Sequence, residues 1–386
     1  MKRTTYASVI FLLLLALCLR NAHGAPLEES IAAQLEELGL EGLMGYSELV
    51  DPDFRAYLPK LDLKGILAGG EGGAGVGELF RQLLALLLQE VVVSLALLRQ
   101  LVVVAALSAL LTQLGGSFGE TAVINLAKAI CFLVIIILGL QSCRAALALA
   151  ADTIDKMVSF MYAILPMLAS LLAAAGGVTS AVIFHPVLVA MVGAVASTVR
   201  YVLLPLIFGG AVIGLLAHFS TELPLSRLAG LARQVTVTLM GLLFVVFSGV
   251  MAVRGAISPI ADGIGIRTAK FLTKTFVPVV GGMFSDAVEV VAGGSLLIKN
   301  AVGAFGLAMV FFLMAVPVLK LWAVVLIYKA VNAVTQPIVD ERVVAAIASL
   351  EHSLTLVLAA LATAGLMFFL VITVLVGLGN LTAVLR

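Results

Sequence analysis

Apolar segments of about twenty residues recur along this chain, each the length that a helix rising 1.5 Å per residue needs to cross a hydrocarbon layer about 30 Å thick. They fall at Val91 to Leu111, Thr121 to Leu140, Met157 to Ala175, Ala181 to Thr198, Tyr201 to Phe219, Val235 to Val253, Ala301 to Leu319 and Leu354 to Leu378. Lipid offers no partner to an open backbone, so each must be helical. The expected architecture is an all-α polytopic membrane protein with about eight transmembrane helices, occupying residues 79–386. Composition agrees: 62% of residues are hydrophobic and 12% are charged, whereas a soluble domain carries about a quarter charged. A net charge of +1 gives nucleic acid no basic surface to bind, so no nucleic-acid partner is expected.

The N-terminus reads as a cleaved signal peptide over residues 1–24. Lys2 and Arg3 precede the apolar run Val9 to Leu19, and the small residues Ala22 and Gly24 stand three and one before a cut. Residues 25–78 form an acidic extracytoplasmic segment. Ile31, Leu35 and Leu38 fall at helical spacing among Glu28, Glu29, Glu36 and Glu37, while Asp51-Pro52 and Leu58-Pro59 mark turns, which suits a docking segment better than a core. Counted from a signal peptide with eight crossings, the basic stretch Arg254 to Lys299 falls outside the cytoplasm, against the positive-inside rule, so orientation stays open.

Motifs for catalysis lack their context. Gly70 to Gly75 satisfies a dinucleotide-binding glycine pattern, but no strand precedes it. Gly115 to Gly119 matches a nucleophile elbow yet lies between two apolar spans. His185, His218 and His352 have no metal-ligand spacing, and no phosphate-binding lysine loop occurs, so neither an enzyme nor a metal or cofactor site is expected. Cys131 and Cys143, if on one helix, stand about 18 Å apart, too far for a disulfide.

The informative stretch is Arg254 to Gly306, with regular charge and many glycines. Arg267, Lys270 and Lys274 share one helix face, and Asp286 and Glu289 form an acidic pair. Pro278, Gly281 and Gly282 are expected to break the first helix, and Gly293 and Gly294 the next, before Lys299. Broken or amphipathic helices near 255–300 fit either of two roles: a conduit or gate, where irregular backbone lines a polar path, or helices lying among the headgroups of membrane lipid. Gly210 and Gly214 form a small-xxx-small pair suited to helix packing.

The order of the pieces then becomes recognisable. Asp155-Lys156-Met157-Val158 leads to Leu165-Pro166 and Ala175-Gly176-Gly177-Val178-Thr179-Ser180-Ala181. Further on come Arg267 to Phe271, Phe276 to Gly282, Ser285-Asp286-Ala287, Leu297 to Gly303 and Gln336 to Asp340. The chain resembles the stage III sporulation protein AE family over nearly all of its mature length. The resemblance implies a multi-pass protein of the mother-cell membrane around the forespore. It also implies partners: a separate ATPase and ring-forming membrane proteins of the same sporulation complex. In that setting the chain is a candidate conduit or export gate; a structural scaffold, or more remotely an autonomous solute permease, is the alternative.

Overall fold

The computed structural model describes residues 45–49, 76–118, 122–219, 225–276 and 281–384. The expected signal peptide and most of the expected acidic segment lie outside them. A short 3-10 turn at Tyr46–Leu49 is followed by α1 (Val76–Phe118), α2 (Ala122–Ala174) and α3 (Val178–Thr198). A π-helical turn, Val199–Leu203, runs directly into α4 (Leu204–Phe219), and α5 (Ser226–Phe276), α6 (Gly281–Thr335) and α7 (Glu341–Val384) complete the bundle. Among the described residues the fold is all helical, and six helical units are long and apolar enough to cross a membrane.

Six units replace the expected eight because two pairs of spans are each one rod. Thr121 to Leu140 and Met157 to Ala175 join in α2, 53 residues long and therefore about 80 Å. The stretch between them, Gln141 to Lys156, has charge but neither Pro nor Gly and is rich in alanine, so nothing stops the helix. The second pair is divided only by Arg200, and there the chain takes the wide π turn instead of a loop. Pro205 supplies the cause: its ring would strike the carbonyl of Tyr201, four residues back, and the wide turn relieves that clash.

The core runs the length of the bundle. Phe160 of α2, Phe184 of α3, Phe247 of α5, Phe305 and Tyr328 of α6 and Phe368 of α7 are its largest fully buried side chains. Phe160 also receives the ring of Tyr46 edge-on at 5.7 Å, which ties part of the acidic segment to the bundle.

Of the two helix breaks expected near 255–300, α5 ends and α6 starts on either side of Pro278, but the break expected at Gly293 and Gly294 is absent. α5 continues through Arg254 to Phe276, and α6 runs unbroken through Gly293 and Gly294. Each interior glycine costs about 1 kcal/mol. Ala292, Ser295, Ile298, Lys299, Val302 and Phe305 are all buried at helical spacing, and packing of that stripe outweighs the cost.

Close approach elsewhere depends on glycine. A β-carbon on Gly303 would overlap the branched end of Val376, and one on Gly365 would overlap the flexible end of Met314. Gly303→Ala should therefore lose about 1–3 kcal/mol of stability, read as a lower melting temperature in detergent, while Gly365→Ala, which has only a mobile thioether to displace, should melt closer to the parent.

Candidate functional site

The turn between α2 and α3 explains why one run of the sequence has the residues it has. Gly176 adopts φ 93°, a conformation that a β-carbon would strain. Its N–H donates to the Ala173 carbonyl and that of Gly177 to the Leu172 carbonyl, both at 2.9 Å, the pair of bonds that closes a helix C-terminus. Gly177 is then the N-cap of α3 and has no side chain with which to cap it. Asp262 of α5 does so from 82 residues away. Its Oδ1 accepts the Ser180 N–H at 3.0 Å and its Oδ2 accepts the Ser180 hydroxyl. The carboxylate, 2% exposed, also sits at the positive end of the α3 dipole. Sequence reading passes over Asp262; the only local signal is a helix start without a capping side chain.

Lys299 is fully buried, and its Nζ donates to the Val376 carbonyl of α7 at 2.8 Å. Of the charged residues singled out from sequence it is the one whose side chain is described, and it fastens α6 to α7. Arg267, Lys270 and Lys274 lie on the last turns of α5, and Asp286 and Glu289 on the first turns of α6. α5 ends at Phe276 and α6 starts at Gly281; Pro278 lies outside the described residues, between those two ends. These charges thus lie on the adjoining ends of two helices, and α5 runs on past the Ser180–Asp262 contact for fourteen residues, about 20 Å.

Gly210 and Gly214 of α4 face its neighbours. Gly214 stands against Ser349 of α7, with the Ala229 methyl 3.8 Å from where its β-carbon would be, and Gly210 stands 3.4 Å from the Ala232 methyl of α5 in the same sense. Cys131 and Cys143 are both buried and free. No group of three or more metal-ligating side chains occurs among the described residues.

The bundle has two unlike exteriors. α1, α5 and the first part of α2 expose Leu, Val and Ile, such as Leu88, Val103, Ile130, Leu242 and Val245. On the rest of α2, by contrast, the exposed stripe reads Gln141, Ala145, Ala148, Asp152, Asp155, Ser159, Tyr162, Pro166 and Ser170, with Tyr162 its one large apolar body. It extends about 44 Å, longer than a bilayer core is thick. The adjoining stripe on α3 and α4 reads Pro186, Ala190, Ala194, Ser197, Tyr201 and Pro205. Between the two stripes Arg200 pairs with Asp155 and its guanidinium lies 5.8 Å from the Tyr201 ring, while Lys156 pairs with Asp152 at 2.8 Å. All four charged side chains are more than a third exposed. A charge turned toward lipid tails at the middle of a span costs at least about 2.5–3.5 kcal/mol, so such a face calls for water or protein against it.

A family model described as stage III sporulation protein AE matches residues 61–379. The chain is also 35% identical over 309 residues to the stage III sporulation protein AE of Bacillus subtilis (strain 168), covering 80% of this chain and 77% of that one. The chain belongs to the stage III sporulation protein AE family. Its family-matched residues take in all six spanning units, and this stage III sporulation protein AE homologue is a sporulation-associated membrane protein. No solved structure matches it.

Proposed function

We propose that this protein is the polytopic subunit of a transport complex linking mother cell and forespore, seated in the mother-cell membrane that surrounds the forespore, and non-catalytic itself. Energy would come from a separate ATPase, and ring-forming membrane proteins would complete the path. The observation that supports this reading best is the small and polar face of α2, α3 and α4, whose mid-height charges suit water or another subunit and not lipid. The adjoining ends of α5 and α6, with Arg267, Lys270, Lys274, Asp286, Glu289 and Lys299, are the candidate conduit or gate, and Pro278, Gly281, Gly282, Gly293 and Gly294 are the candidate hinge or helix-break residues.

Affinity purification of the tagged protein from sporulating cells in mild detergent, followed by mass spectrometry, tests this. Recovery with an ATPase and ring-forming proteins is the expected result; recovery alone, from cells in which the protein is abundant and stable, would overturn it. Asp155→Lys, which sets a third cation beside Arg200 and Lys156, should sharply reduce what is recovered while leaving the monomer intact.

The same face also fits a scaffold that assembles the complex without conducting. Lys270→Ala and Asp286→Ala distinguish the two: a conduit loses transport with the complex still assembled, and a scaffold loses assembly.

A further inference from the structure

α4 ends at Phe219, α5 begins at Ser226 and α7 begins at Glu341, and near these helix ends the three leave a cleft of ≈ 250 Å³ between them. Its polar lining is His218 of α4, Arg233 and Thr236 of α5, and Ser349, His352 and Ser353 of α7; among the described residues no carboxylate lines it. Arg233 lies about 10 Å along α5 from its start and His352 about 16 Å along α7, so the cleft opens within the first three turns or so of the bundle end.

The donors decide what it can take. The Thr236 hydroxyl is spent on the Ala232 carbonyl at 2.8 Å and that of Ser353 on the Ser349 carbonyl at 3.0 Å. His218 Nδ1 meets the Gly214 carbonyl at 2.6 Å and His352 Nδ1 the Ala348 carbonyl at 2.7 Å. A carbonyl only accepts, so each ring holds a proton on Nδ1 and presents Nε2 to a ligand. Two imidazole nitrogens without a carboxylate or thiolate are a poor metal set, and a guanidinium beside them makes it poorer. Arg233 and the Ser349 hydroxyl have no hydrogen-bond or ion-pair partner among the described residues, and a guanidinium fork matches two oxygens of one phosphate. The volume, below the roughly 300–1,000 Å³ of sites for drug-sized molecules, suits a group of that size. Val237, one turn on from Arg233 along the same face of α5, is exposed, an apolar surface beside the cleft on which an acyl chain can lie.

We propose that this cleft binds a phosphate group, with the headgroup of an anionic phospholipid as the source that the neighbouring apolar surface favours. Arg233 is the main anchor and Ser349 the second donor.

The test uses the full chain purified in detergent, its melting temperature measured with added phosphatidylglycerol, phosphatidylcholine or inorganic phosphate. Phosphatidylglycerol should raise the melting temperature by several degrees and phosphatidylcholine should not. Arg233→Gln should lose most of that rise, Arg233→Lys should keep part of it, and Ser349→Ala should reduce it. Arg233 is exposed, so its variants should melt like the parent without lipid. A rise with inorganic phosphate that Arg233→Gln abolishes would keep the phosphate site and overturn the lipid as its source. Equal rises with both lipids, or a full rise in Arg233→Gln, would overturn the proposal. None of these readouts depends on a partner subunit, so failure here leaves the transport reading standing, and the reverse holds too.

Discussion

Lys299→Glu should leave almost no folded protein in a detergent extract, while Lys299→Met should fold nearly as well as the parent. The side chain is fully buried between α6 and α7, with Nζ 2.8 Å from the Val376 carbonyl. Glutamate would set acceptor against acceptor there and bury an ion with no cation beside it, a loss of roughly 3–5 kcal/mol. Methionine keeps most of the apolar length and gives up one hydrogen bond. The Val376 carbonyl loses little, because a helical carbonyl also takes the N–H four residues on, so the cost should be about 1 kcal/mol. The pair of variants also separates two roles. If Lys299 only fastens helices, Lys299→Met sporulates normally. If it lines a polar path, the same variant accumulates in the membrane yet blocks sporulation. Fluorescence-detected gel filtration after heating, set beside spore counts, reads both.

Asp262→Ala comes next in size. It strips the cap from α3 and leaves the buried Ser180 with an N–H and a hydroxyl that have lost their acceptor. Loss of a helix cap costs about 0.5–2 kcal/mol and an unsatisfied buried donor about 1–3 kcal/mol, so a total near 3 kcal/mol is expected. Asp262→Asn keeps an oxygen in place and should lose roughly a third as much, the part that belongs to charge and dipole. The measurement is again the melting temperature in detergent. Equal losses in the two variants would mean that charge, not the hydrogen bonds, carries the contact. A third variant checks locality: Gly177→Ser offers α3 a cap of its own, but Leu172 stands 2.8 Å from where a β-carbon would be, so it should not rescue Asp262→Ala.

How much of this was legible beforehand divides by physical cause. Hydropathy alone locates the membrane-spanning stretches, because a run such as Val123 to Leu140 has few other places to go. It does not locate helix ends. Charges at Arg144, Asp152, Asp155 and Lys156 look like a loop to a hydropathy ruler, yet alanine-rich backbone carries the helix through them. Gly293 and Gly294 look like a break until the buried stripe from Ala292 to Phe305 is seen packed. The spacing of Gly210 and Gly214 suggests close packing, though not that Ser349 and Ala232 are the neighbours. Least legible are the long-range pairs. Asp262 with Ser180 and Arg200 with Asp155 join residues far apart in sequence, Arg233 and His352 line one cleft from different helices, and no local pattern announces any of these.

The π turn at Val199–Leu203 has a consequence for aim. An α-helix advances about 100° around its axis with each residue, so one residue taken up by a wider turn re-aims everything after it. Upstream of the turn, α3 shows Ala190 and Ala194 to the outside; downstream, α4 shows Gly210 and Gly214 to α5 and α7. Replacing Pro205 so that the same residues wound evenly would rotate His218 and both glycines away from the partners they meet now, whereas removing one residue from the turn would leave them aimed as they are. The rod behaves as two compass needles soldered at a set angle, and that angle is held by the ring of one proline.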